Sequence, residues 1–67
     1  MQSNLLRGAI IAQGLTMQSA AQKIGISRNS MSARMNGKVP FNADEIEKLC
    51  ALLDISDPVK KVEIFLT

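Results

Sequence analysis

Histidine, tryptophan and tyrosine are missing from this 67-residue chain, and cysteine occurs once, at Cys50. With no imidazole and a single thiol, neither a zinc site nor a His-dependent nucleophilic dyad can be assembled, so most enzyme classes drop out. The lone cysteine excludes an intramolecular disulfide framework, which suits a reducing cytoplasm. Phe41 and Phe65 are the whole aromatic complement. A single-stranded RNA binder, which stacks bases on aromatic rings, is therefore a poor fit. No apolar run approaches the roughly 18 residues that span a bilayer. The first 43 residues contain no aspartate or glutamate at all.

What is present describes one small globular domain. The apolar fraction of 46% and charged fraction of 21% are ordinary for a folded domain. At this length one modest core is the limit. The net charge of +2 hides an uneven distribution. Residues 1–43 carry Arg7, Lys23, Arg28, Arg34 and Lys38 with no acid, whereas residues 44–67 set three lysines against six carboxylates. A wholly cationic stretch joined to an acidic remainder suggests one face made for an anionic polymer.

Apolar spacing and capping residues predict helices over residues 1–55. The first runs from Ser3, as N-cap, to Gln13, with Leu6, Ile10 and Ala9 inward and Gly14 as its stop. The second runs from the N-cap Thr16 to Lys23 and turns Ala20, Ala21 and Ile24 inward. Ser27 caps the third, Arg28 to about Met35, which Asn36-Gly37 terminates. Asn42 caps the fourth, Ala43 to Leu53, with Glu45 completing a capping box and Ile46, Leu49, Cys50 and Leu53 buried. An apolar residue before each N-cap faces one at the fourth helical position: Leu15 with Ala20, Ile26 with Met31, Phe41 with Ile46. This hydrophobic staple, repeated three times, fixes how the chain enters each helix. Residues 56–67 read differently. Asp57-Pro58 opens a short helix or turn to about Val62, and the alternation of Val62, Ile64 and Leu66 then predicts an extended segment.

Two helices joined by a glycine-containing turn, with small residues on the first, make a helix-turn-helix, here Thr16 to Met35. The run Leu15-Thr16, then Ala21-Gln22-Lys23-Ile24-Gly25-Ile26-Ser27 through the turn, and Asn36-Gly37-Lys38 at the close resembles the DNA-binding domain of the phage repressor and Cro family. The resemblance covers roughly residues 3–55. It implies an all-α fold of four to five short helices around one core, with the motif's second helix in the major groove of double-stranded DNA. Residues 1–55 would form the binding domain and 56–67 a dimerisation element. The implied activity is sequence-specific transcription regulation on a palindromic operator, by a homodimer in a bacterial host's cytoplasm. No enzymatic role, cofactor, metal, small-molecule ligand or membrane partner is implied.

Carried onto this sequence, the base readers are Arg28, Asn29, Ser32 and Ala33. Arg28 suits guanine O6 and N7, Asn29 suits adenine N6 and N7, and Ala33 offers only apolar contact to a thymine methyl. Phosphate contacts fall to the start of the second helix at Met17 and Gln18, to Ser30, Arg34, Asn36 and Lys38, and to Asn42. Arg7 and Lys23 are read as solvated helix charges, and Cys50 as a small buried hydrophobe. Val59, Val62, Ile64, Phe65 and Leu66 supply the apolar surface for dimerisation, either by edge pairing across a twofold axis or, if they fold back, only weakly. Two departures from the family stand out. Met17 stands where a phosphate-touching glutamine is common. Ile10 and Met35 replace a partly buried Arg–Glu pair, a swap that packed apolar groups tolerate, and the two are expected to pack together. Met17 and Ala33, apolar on a DNA face, favour a rival reading: an interaction module that modulates a repressor without touching DNA.

Overall fold

A computed structural model describes residues 1–66, and Thr67, the last position of the expected extended segment, lies outside them. Five helices follow in order: α1 (Ser3–Ala12), α2 (Met17–Ile24), α3 (Arg28–Met35), α4 (Ala43–Leu52) and α5 (Pro58–Phe65). No strand occurs among the described residues. The fold is all-α, with the turn between α2 and α3 at Gly25, where the sequence placed it.

Local chemistry explains the starts and stops. The side chains of Thr16, Ser27 and Asn42 accept the N–H groups of Ser19, Ser30 and Glu45, each satisfying a donor that has no intrahelical partner. Every stop before α5 uses one hydrogen-bond pattern. After α2, Gly25 N–H donates to Gln22 O and Ile26 N–H to Ala21 O, the paired bonds of a Schellman motif. The same pairing closes α1 at Gly14 and Leu15, α3 at Gly37 and Lys38, and α4 at Asp54 and Ile55. At Gly25 φ is +82°, a conformation that a side chain makes costly. The expected ends of α1, α2 and α4 shift by one residue, as fraying termini do.

The core gathers Leu6 and Ile10 from α1, Ala20, Ala21 and Ile24 from α2, and Met31 and Met35 from α3. Leu49, Leu53 and Ile64 complete it, so the expected partners Ile10 and Met35 share one cluster. Cys50 is buried beside it. Helix α2 packs on both α3 and α4, and α1 on both α2 and α5. The small Ala20 and Ala21 allow that close approach. Ile46 is only half-buried, contrary to its expected place in the core.

Two further expectations need correction. Ser3 does not cap α1; Gln2 holds the cap position without a side-chain bond. The Ser3 hydroxyl instead donates to Met35 O at 2.8 Å, satisfying a carbonyl at the end of α3. The C-terminal segment is not extended either. Helix α5 continues to Phe65, putting Lys61, Ile64 and Phe65 on its inner side at helical spacing, while Val62 and Leu66 stay exposed. A lone strand would leave its backbone groups unpaired, whereas a helix satisfies them internally. Asp57 caps it through Val59 N–H, Pro58 occupies the first turn, and Gln2 N–H bonds Ile64 O at 2.7 Å.

Candidate nucleic-acid interface

The α2 end of the site is built on a small reciprocal cap. Thr16 Oγ1 accepts from Ser19 N–H at 3.1 Å, and Ser19 Oγ accepts from Thr16 N–H at 2.9 Å. By helix geometry the N–H groups of Met17 and Gln18 then lack intrahelical acceptors and present a positive end to an anion. The Gln18 side chain is exposed. The Met17 side chain is half-buried and packs against the core, so only its backbone can serve a phosphate.

On α3, burial of Met31 and Met35 fixes the rotation of the helix. Asn29 and Ser32 are exposed on sides turned from those methionines, Arg28 is exposed as the first residue of the helix, and Asn36 lies exposed at the C-terminal end. Ala33 is half-buried. Ser30 is half-buried too, with its Oγ 3.0 Å from that of Ser27, which donates to it. Beyond α3, Lys38 is exposed, and its N–H is held to Ala33 O at 2.9 Å. Asn42 is exposed at the head of α4. Its carboxamide oxygen is taken by Glu45 N–H at 2.8 Å, which leaves its NH2 as the outward donor.

Arg34 differs from the other expected phosphate ligands. Its Nε donates to Glu45 Oε1 at 2.9 Å and its Nη1 to Ser30 O at 3.1 Å. Only 17% of the Arg34 side chain and 8% of the Glu45 side chain remain accessible. Glu45 Oε1 also accepts from Asn42 N–H at 3.0 Å. The Arg34 hydrogen bond, assisted by the Asn42 N–H, holds the Glu45 carboxyl below the usual carboxylate range against the opposing effect of burial. The sequence identifies Glu45 as a capping residue but gives no sign of its partner, which sits eleven positions away on another helix.

The dimerisation set divides. Ile64 is a core residue at 4% exposure, and Phe65 is half-buried with its ring against Phe41. Folding thus engages both residues within the monomer. Val59, Val62 and Leu66 remain exposed along α5. Arg7 and Lys23 are exposed. Cys50 is buried, and desolvation raises its thiol pKa, which keeps it protonated and inert. No group of residues suited to hold a metal ion occurs among the described residues. No helix there is long and apolar enough to cross a membrane.

A helix-turn-helix family model of the Cro/C1 type matches residues 6–59, most of the chain, and the chain belongs to that family of DNA-binding regulators. No curated protein and no solved structure matches it.

Proposed function

We propose that this helix-turn-helix chain is a sequence-specific transcription regulator of the phage repressor and Cro type, binding a palindromic operator as a homodimer. The observation that carries the reading is the face of α3. Asn29 and Ser32 are exposed there, turned from two buried methionines that fix the helix on its scaffold, and Arg28 is exposed at the helix's N-terminal end. In the major groove, Arg28 and Asn29 supply bidentate readout worth about 1–3 kcal/mol each, and Ser32 and Ala33 supply the weaker contacts. The α2 N-terminus at Met17 and Gln18, with Ser30, Asn36, Lys38 and Asn42, holds the phosphates on either side.

A single module of this kind buries only about 600–1,000 Å² on DNA, so useful specificity calls for two copies on half-sites about 34–36 Å apart. Val59, Val62 and Leu66 on α5 are the residues assigned to that pairing. Repression follows from occupying a promoter. The rival interaction-module reading rested on Met17 and Ala33 as apolar residues on a polar face. Both are half-buried, and Met17 packs on the core, which leaves that reading less apolar surface to work with.

The test is an anisotropy titration of a duplex from beside the coding sequence and of a scrambled duplex, at two salt concentrations. Tighter binding to the first, with both weakening steeply as salt rises, is the expected result. Arg28→Ala should erase the preference before it erases the affinity. A folded protein that binds neither duplex at low salt would refute the proposal.

A further inference from the structure

The Arg34–Glu45 pair occupies an unusual place for an internal ion pair, between the recognition helix and the head of the helix after it. Arg34 lies one turn beyond Ser30 on α3, and Lys38 follows in the turn after that helix. Asn42 stands on the other side, at the head of α4. All three neighbours belong to the phosphate-holding set, so Arg34 sits among them with a guanidinium well suited to phosphate. Its charge is nonetheless committed internally. Glu45 Oε1 lies 2.9 Å from Arg34 Nε, and the same oxygen is fixed by Asn42 N–H at 3.0 Å. Glu45 is itself anchored by its own N–H to the Asn42 carboxamide oxygen at 2.8 Å. The carboxylate therefore cannot swing out with the arginine. Asp44, the next carboxylate, is turned to Lys48 at 3.1 Å and does not compete for Arg34.

We infer that Glu45 sets how tightly the domain grips the DNA backbone. Its carboxylate stands in for a DNA phosphate, keeps the Arg34 guanidinium off the duplex, and so limits binding that ignores sequence. The inference rests on the DNA-binding reading above. Backbone contacts add affinity to every sequence equally, whereas base contacts discriminate. Holding one cation back from the phosphates lowers the common term and leaves readout by Arg28 and Asn29 untouched. The Arg34–Glu45 bond also ties the last turns of α3 to the head of α4, while the bond to Ser30 O braces the guanidinium on its own helix.

The prediction is read from the salt dependence of binding to a scrambled duplex, a quantity that a purely structural strut would not raise. Each phosphate neutralised contributes about 0.9 to the slope of log K against log salt. Glu45→Gln keeps the side-chain shape and the Asn42 contact but removes the charge. It should steepen the slope by about 0.9 and strengthen scrambled-duplex binding roughly three- to tenfold at 0.1 M salt, with the same relative gain on the operator duplex. Arg34→Gln in the otherwise wild-type chain should leave the slope unchanged, and Arg34→Gln combined with Glu45→Gln should return it to the wild-type value. A folded Glu45→Gln protein with an unaltered slope would overturn the inference. So would an Arg34→Gln protein whose slope falls by about 0.9, because Arg34 would then already hold a phosphate in the wild type. If circular dichroism shows that Glu45→Gln does not fold, the Arg34→Gln comparison decides alone. Wild-type protein that shows no salt-dependent binding would remove the DNA reading itself, and that outcome is seen before any variant is made.

Discussion

The ring of Phe65 meets that of Phe41 edge-on, with centroids 6.0 Å apart and planes at 87°. One lies at the end of α5 and the other just before α4, so the pair joins the C-terminal helix to the segment that follows the recognition helix. Edge-to-face rings attract through their quadrupoles beyond the area they bury. With the Gln2–Ile64 backbone bond at the other side, the contact makes α5 part of the domain and not an appended arm. Phe65→Ala should therefore destabilise the monomer by about 2 kcal/mol, below the range for a fully buried phenylalanine because the ring is half-exposed. Urea denaturation would measure it. Leu66→Ser, at 73% exposure, should stay within about 0.5 kcal/mol of wild type. A comparable loss at both positions would contradict the division of α5 into an inner and an outer side.

The depressed pKa of Glu45 has a consequence for acid stability. The folded protein binds this proton less readily than the unfolded chain, whose glutamates titrate near about 4.3. The stabilisation is thus complete above that value and is lost as pH falls through the lower folded pKa. The stability difference between wild type and Glu45→Gln should be constant from about pH 7 to 5 and shrink as the pH drops below about 4. Denaturation midpoints of both proteins across that range would show it. A gap that widens in acid would contradict the assigned sign.

Of the four Schellman stops, three place glycine at the left-handed position, and the fourth places Asp54 there, at φ +57°. A side chain in that conformation costs about 1–2 kcal/mol, somewhat less for aspartate. Its negative charge also faces the unfavourable end of the α4 dipole. Asp54→Gly should stabilise the domain by about 0.5–1 kcal/mol. Asp54→Asn, which removes only the charge, should gain less. A thermal melt of the three proteins would rank them, and a loss of stability with glycine would show that the aspartate makes a compensating contact.

The helix boundaries and the turn were legible because the chemistry that sets them is local. Thr16, Ser27 and Asn42 cap helices through N–H groups three residues away, and Gly14, Gly25 and Gly37 end them within two. The outward face of α3 follows as directly, since Met31 and Met35 can be buried in only one rotation of a helix. A twelve-residue window contains nearly all the information for each of these.

Other features depend on what lies across space, and no window of sequence contains that. Alternating Val62, Ile64 and Leu66 matched a strand, but no other strand exists among the described residues to pair with, and Ile64 and Phe65 at helical spacing found the core and Phe41 instead. The Ser3 hydroxyl, a good cap by type, reached the Met35 carbonyl thirty-two residues away. Arg34, by type a phosphate ligand, was claimed by a carboxylate that folding brought to 2.9 Å. The sequence by itself determined where α2, α3 and α4 start, stop and face, to within a residue, because those choices are decided by neighbours along the chain. Only the tertiary structure decided which polar groups were already spent, because a hydrogen bond goes to whichever partner packing brings within reach.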